Sequence, residues 1–328
     1  MKSKVKISVI IPVYNLSRWI EKCVKSVLEQ TVSDIEIIVI DDGSKDDSYK
    51  IVKQIQNEYP EKIILLSQEN SGQAVARNRA LDLACGEYIV FVDGDDYIEK
   101  TYLECLLEKI EHEKLDCVVC GYERVDEQGN VLQRVCPDIS NEMYQMKFLA
   151  ACSKIFRLSY LRENSIRFPE GKLYEDVSFS WQVLFLSDKI GVIDCVGYKY
   201  LMREGSSSNS RISLSKVPFQ ENKQTIKKIM LKIDEDKREL FIYSILTQYA
   251  YQVFILARKS PVKIVKELCK TLQSDLKESI PKYWKNSYLK ATVTKKTVPF
   301  VQRMSIRVFV DAIRCNLLIP VSVLITRL

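Results

Sequence analysis

ISVIIPVYNLSRWIEKCVKSVLEQTVSDIEIIVIDDGS, residues 7–44, holds one full cycle of the pattern that decides the fold. Ile7–Ile11 and Ile35–Ile40 are short β-rich runs, and between them Ile20, Cys23, Val24, Val27 and Leu28 recur at helical spacing. The runs are almost continuously apolar, as strands covered on both faces must be. The cycle repeats downstream with Tyr49, Val52 and Ile55 at helical spacing, a strand-like run at 62–66, and another at 88–92. The plan is βαβαβαβ, a mostly parallel α/β sheet with helices packed on its faces.

Working outward, Leu103, Leu106, Leu107 and Ile110 predict a helix leading to a strand at Val118 and Val119, and Gln128-Gly129-Asn130 predicts a hairpin turn. Regular alternation stops there, so residues 116–212 read as a mixed α/β extension of the same sheet. From Ser215 onward the pattern is helical. The expected divisions are 1–115, 116–214 and 215–328, with a soft boundary in the serine-rich stretch near Arg211–Lys216.

In 328 residues, 46% of them hydrophobic, a substantial core is available and extended disorder is excluded. Ten cysteines do not form a disulfide framework, because the N-terminus lacks the long apolar core of a secretory signal. Cys23, Cys85, Cys105 and Cys195 fall in apolar patterns and read as core filler. The Cys117/Cys120 pair reads the same way, with no second pair or ligand histidine beside it. The single histidine, His112, lies on the charged side of a helix pattern, which argues against histidine catalysis. Net charge is +6, but from Pro281 to Leu328 nine basic residues face only Asp311. A basic tail on a nearly neutral body is not the footprint of a nucleic-acid binder.

Open parallel sheets bind ligands beyond the carboxyl ends of their strands. The four strand ends carry Pro12-Val13-Tyr14-Asn15, Asp41-Asp42-Gly43-Ser44, Asn70-Ser71-Gly72 and Asp93-Gly94-Asp95-Asp96. Neither GxGxxG nor GxxxxGK[ST] occurs, which disfavours a dinucleotide dehydrogenase or a P-loop ATPase. An acidic edge repels a diphosphate unless a divalent cation mediates, and aspartate oxygens suit Mg²⁺ or Mn²⁺. The alternative use of these aspartates is in turns and helix caps.

ISVIIPVYN (7–15), VIDDGSKDDS (39–48), NSGQAVARNRAL (70–81), GEYIVFVDGDD (86–96) and LYEDVSFSWQVL (173–184) together resemble the family 2 glycosyltransferases of the GT-A fold. The resemblance continues through SKIFRLSYL, IRFPEG and YLMREGSSSN, over roughly residues 5–212. It implies a Rossmann-like nucleotide-sugar half, a second half that binds the acceptor and supplies the base, and a helical C-terminal extension. By resemblance, Pro12, Tyr14, Asp41, Asp42 and Arg77 contact the donor nucleotide. Tyr14 lies against the nucleobase, and Asp42, ahead of Asp41, accepts a hydrogen bond from it. Asp93 and Asp95 match a DxD element, the first implied on the donor ribose or the metal and the second directly on a divalent metal, Mn²⁺ or Mg²⁺, that bridges the diphosphate. Asp176, beside Glu175, is the implied general base. Arg203, with Ser206 nearby, closes over the diphosphate or forms a salt bridge, and Trp181 borders the acceptor pocket or fills core.

With no candidate histidine and no nucleophile in the matching motifs, a single inverting displacement is the economical mechanism. A UDP-sugar is the favoured donor. The QxxRW pattern of processive synthases is missing, so one sugar is transferred per encounter, in capsule, exopolysaccharide or lipopolysaccharide assembly. Two other readings stand beside this one. A sugar nucleotidyltransferase typically opens on GxGxR where IPVYN stands here, and a non-catalytic nucleotide-sugar binder would not need Glu175-Asp176.

No apolar run reaches the 18 residues of a membrane span. Projecting 303–317 at 100° per residue groups Arg303, Arg307, Asp311 and Arg314 within about 80°, beside an apolar arc of Ile306, Phe309, Val310, Ile313 and Leu317. With Tyr283, Trp284 and Tyr288 upstream, this reads as an interfacial helix on an anionic leaflet, or else as a helix packed on the enzyme. The expected location is the cytoplasm, peripheral on the inner membrane face, where a lipid-linked saccharide acceptor would be met.

Overall fold

The computed structural model describes residues 5–137, 148–171, 174–203, 214, 217–258, 260–289 and 300–325, with the side chains of 300–303 undescribed. The chain divides into two compact units, one of Met1–Ser140, Phe148–Gly171 and Glu175–Ser206, the other chiefly Ser207–Leu328. The boundary expected at Arg211–Lys216 falls outside the described residues.

In the first unit, β1 (Ile7–Val13), β2 (Ile35–Asp41), β3 (Ile63–Ser67) and β4 (Tyr88–Phe91) alternate with α1 (Ile20–Leu28), α2 (Ser48–Glu58) and α3 (Gln73–Leu83). After β4 come β5 (Tyr97–Ile98), α4 (Tyr102–His112), β6 (Cys117–Val119), β7 (Tyr122–Val125) and β8 (Val131–Val135). The unit ends with β9 (Lys154–Arg157), α5 (Leu158–Glu163), α6 (Glu175–Phe185), β10 (Ile190–Val192) and β11 (Tyr198–Leu201).

The main sheet has the order β10-β6-β9-β4-β1-β2-β3. Every adjacent pair in it is parallel except those of β9, which runs antiparallel to β4 and β6. All seven residues of β1 and of β2 are buried, which is why these runs lack an apolar–polar alternation. Ile20, Cys23, Val24 and Val27 of α1 and Val52 and Ile55 of α2 pack into the same core, whereas Tyr49 is exposed.

The extension departs from the expected single sheet. β6, β9 and β10 do continue it, but β7 and β8, the hairpin predicted around Gln128-Gly129-Asn130, join β5 and β11 in a second sheet ordered β5-β11-β7-β8. Cys23, Cys117 and Cys120 are core side chains; Cys85, expected among them, is exposed.

The second unit is helical among its described residues: α7 (Phe219–Met230), α8 (Glu235–Tyr251), α9 (Val262–Ser279), α10 (Phe300–Arg314) and α11 (Leu318–Ile325). Asp234 caps α8 by accepting from the Lys237 N–H at 2.9 Å. The apolar arc of α10 is corrected here. Ile306, Phe309, Val310 and Ile313 are at most 2% exposed, and Phe309 meets Phe254 edge-on at 5.9 Å, so a core already occupies the face expected to enter a membrane. Leu317 alone of that arc is exposed, and the Arg303 side chain lies outside the described residues. No helix among the described residues is long and apolar enough to cross a membrane.

Candidate active site

The strand ends of the first unit are stitched together by side chains that need no ligand. The Asp42 carboxylate is buried and accepts from Gln68 Nε2, Ser71 N–H and Gly72 N–H, each at 2.8 Å. It thereby fixes the loop that opens α3. Asp42, expected to read the nucleobase, thus has three of its roughly four acceptor sites engaged, two of them by backbone N–H groups. Asp41, the less favoured partner, accepts from Ser67 Oγ and the Ser44 N–H through Oδ2, while its buried Oδ1 has no partner among the described residues. Gly43 turns the chain just after the two aspartates with φ +74°, and a Cβ there would sit 3.0 Å from Asn70 N.

The loop after β4 rests on β1. A Cβ on Gly94 would lie 2.8 Å from Leu16 Cδ1 and 3.0 Å from the Pro12 carbonyl oxygen, so the residue between Asp93 and Asp95 must be small. Pro12, expected at the donor, is buried in β1 opposite Ile40 and serves as this floor. Tyr14, just beyond it, is 46% exposed, with a ring face open to stacking.

Below the loop, the Tyr198 hydroxyl donates to Asp96 Oδ2 at 2.6 Å and accepts from the Asp93 N–H at 3.2 Å, and Asp96 Oδ1 accepts from the Leu201 N–H at 2.8 Å. Asp96 is thus the internal strut of the cluster. Burial, with Asp95 and Asp93 close by, pushes its carboxyl far above the usual range.

At the centre lies Arg77, 1% exposed. Its Nη2 donates to Asp93 Oδ1 at 2.7 Å, and its Nη1 donates to Asp176 Oδ1 at 2.7 Å and Glu175 Oε1 at 3.1 Å. The guanidinium also lies 5.2 Å from the Phe168 ring. Burial opposes its charge, and the three carboxylates outweigh burial and raise its pKa. The structure therefore places Arg77 beneath the site, joining its two halves, where the sequence reading put it on the nucleotide.

Glu175 and Asp176 occupy the first turn of α6, where the helix dipole favours carboxylates. Burial and then the Asp176 charge push Glu175 up to about 7, against the pull of Arg77. Asp176 is also raised, by burial, with Arg77 opposing and Asp93 adding to the shift. Of the pair, the Asp176 side chain is the more accessible, 27% against 10%.

Asp95 is raised by burial and by Asp93, an effect that Arg203 offsets. Arg203 donates to Asp95 Oδ2 from Nε at 2.8 Å and Nη2 at 2.7 Å, and stacks over Trp19 at 4.5 Å. Ser206 lies outside the described residues. Trp181 is fully buried, because α6 is covered along nearly its whole length, so it is a core side chain and no acceptor contact. Sequence reading missed Tyr198, Trp19 and Gln73, which donates to Asp93 Oδ1 at 3.1 Å. A tyrosine or glutamine inside an ordinary element carries no local signal of such a bond.

Among the described residues, no three His, Cys, Asp or Glu side chains could hold a metal ion unaided. Asp93 and Asp95 offer a partial site, since neither Asp93 Oδ2 nor Asp95 Oδ1 is engaged by an arginine. That donor set fits Mg²⁺ or Mn²⁺, which take one or two carboxylates and complete their shell with phosphate and water.

A seven-stranded, mostly parallel sheet with an acidic cleft at its strand ends defines a nucleotide-sugar transferase fold of the GT-A class. Residues 8–163 match the model of Glycosyl transferase family 2. GlyG, a glycosyltransferase of Streptococcus pneumoniae, is 30% identical over 226 residues, 64% of this chain and 75% of GlyG. Glycosyltransferase GlyA of the same organism is 34% identical over 221 residues, 62% of this chain. The chain belongs to glycosyltransferase family 2. It spans only about a third of the length of GlyA, 31%. In fold, it matches the crystal structure of Staphylococcus aureus TarS 1-349 in complex with UDP-GlcNAc. That match has a TM-score of 0.78 and 21% identity, and covers 98% of this chain and 90% of that one.

Proposed function

We propose that this chain is an inverting, divalent-metal-assisted glycosyltransferase. It moves one sugar from a UDP-sugar to a hydroxyl of a saccharide acceptor carried on a lipid, in cell-surface polysaccharide synthesis. The observation that carries the proposal is the meeting of Asp93, Glu175 and Asp176 on the single Arg77 guanidinium. The loop carrying Asp93 and the helix start carrying Glu175 and Asp176 are thereby joined through one buried cation.

In this reading Tyr14 stacks on the nucleobase, with Asp41 and Asp42 at the neighbouring strand end. Asp93 and Asp95 hold the metal, with Arg203 shared between Asp95 and the diphosphate. When bound, the ion supplies positive charge against the negative charge that grows on the departing diphosphate. Asp176 takes the proton of the attacking hydroxyl. Burial raises its carboxyl above the ordinary aspartate range, and such a base contributes on the order of 10²- to 10⁴-fold. The displacement in this reading is single and inverting, with the acceptor hydroxyl itself attacking the anomeric carbon as the diphosphate leaves.

The relatives support the substrate class. TarS is named a poly(ribitol-phosphate) beta-N-acetylglucosaminyltransferase and was crystallised with UDP-GlcNAc, which favours UDP as the nucleotide and a cell-surface polymer as the destination. Residues 1–115 serve the donor, 116–214 the acceptor and base, and 215–328 are the helical extension. With the apolar arc of α10 buried, an association of this extension with an anionic inner leaflet is electrostatic, through exposed Arg307 and Arg314 and the neighbouring lysines.

Purified chain is tested for UDP release from UDP-GlcNAc and UDP-glucose with Mn²⁺, with EDTA, and as Asp176→Asn. Release that needs the metal and falls at least about 10²-fold in the variant supports the reading. Release indifferent to both removes it.

A further inference from the structure

Lys154, on β9, is a buried cation that the reaction outlined above leaves without a task. It is 1% exposed, and burial lowers its pKa. A buried ammonium is costly unless its donors are satisfied. Two of the three Lys154 Nζ donors go to the Ala150 carbonyl at 2.5 Å and the Cys152 carbonyl at 3.4 Å. No carboxylate forms an ion pair with it among the described residues.

The turn gripped in this way is strained and tied down on two further sides. Ser153 has φ +58°, a conformation that residues with side chains rarely adopt. Its carbonyl accepts from the Cys120 N–H at 3.0 Å. The carbonyl of Leu149 accepts from Ser180 Oγ at 2.8 Å, and Ser180 lies one turn beyond Asp176 on the same helix. The Ala151 N–H and the Lys154 charge both pull the Asp176 carboxyl down, against burial.

We propose that Lys154 is a positioning residue for Asp176: by clamping the carbonyls of Ala150 and Cys152 it fixes the turn whose Leu149 carbonyl holds Ser180, one helical turn along α6 from the base. Arg77 holds the carboxylate from the donor side, and the clamped turn holds it from the other. The inference rests on the reading of Asp176 as the base.

The test compares the full chain with Lys154→Arg, Lys154→Met, Ser180→Ala and Asp176→Asn. Two readouts are taken: UDP release from UDP-GlcNAc and UDP-glucose, and backbone amide exchange of residues 148–153 by mass spectrometry. Lys154→Met should lower kcat by about 10-fold or more, in line with a misplacement of about 1 Å, and leave the donor KM within about twofold. It should also speed exchange at 148–153. Lys154→Arg, which keeps a cationic donor, should recover most of kcat, and Ser180→Ala should show the same kcat-only loss in milder form.

A Lys154→Met enzyme with unchanged kcat, or one whose KM rises as much as kcat falls, overturns the proposal. Should Lys154→Met fail to fold, Ser180→Ala decides, and an unchanged kcat there overturns it. Exchange needs no donor, so unaltered exchange in both variants overturns it as well. Full UDP release by Asp176→Asn removes the base reading and this inference with it. Loss in Asp176→Asn with none in Lys154→Met removes only the positioning role.

Discussion

Arg77 reaches Asp93 Oδ1 from one guanidinium nitrogen and Asp176 Oδ1 from the other, each at 2.7 Å, so one buried cation joins the loop after β4 to the first turn of α6. The two carboxylates are 83 positions apart in sequence, and this side chain brings them together. The pair of bonds predicts that Arg77→Met costs about 3–5 kcal/mol, because it strands three carboxylates around a buried void. Urea unfolding measures it, and a loss below about 1 kcal/mol would mean that the arginine is incidental. The loss should be larger at pH 8 than at pH 5, since protonation relieves the stranded acids.

Glu175 gives the pH dependence its sign. Burial and Asp176 hold its carboxyl near 7, above the ordinary 4.5, so the folded state binds the proton more tightly than the unfolded chain. The stability linked to that proton is complete below pH 4.5 and is lost as pH rises through about 7. Glu175→Gln should therefore flatten the melting temperature between these values and melt above the parent at pH 8. Melting curves in EDTA that keep the parent's slope contradict this.

Gly94 tests the packing under the acidic loop. Gly94→Ala puts a methyl against Leu16 and the Pro12 carbonyl, and overpacking of this kind costs about 1–3 kcal/mol. Because the backbone of the loop must lift, UDP release should fall by more than the stability loss explains. A variant of parental activity shows that the loop tolerates the methyl.

Tyr198→Phe removes one hydroxyl from between the Asp93 N–H and Asp96. The lost partner costs about 1–3 kcal/mol. Thermal melts measure it, and a parental melting temperature would show that the hydroxyl bridge is incidental.

The four leading strands were legible because burial on both faces leaves a pattern of its own, and because their ends carry acidic and turn residues that such strands do not otherwise need. The second sheet was not legible. β5 is two residues long, and its pairing with β11 is made across a hundred positions, with no periodicity to betray it. The C-terminal helix shows the limit from the other side. Its amphipathic arc was real, but periodicity identifies an apolar face without naming what covers it, and here the cover is the protein's own core. Arg77 was found by its motif and misplaced, because its three partners are spread over elements that only the fold brings together.

The central claim is that one divalent ion and a nucleotide diphosphate share the cleft rimmed by Asp93, Asp95 and Asp176. Crystals of the full chain grown with UDP and Mn²⁺, measured at the manganese absorption edge, test it most directly. The account predicts one anomalous peak in coordination distance of an Asp95 carboxylate oxygen and of both UDP phosphates, with the uracil against Tyr14. UDP bound with no manganese at Asp95, or bound away from these strand ends, would contradict it.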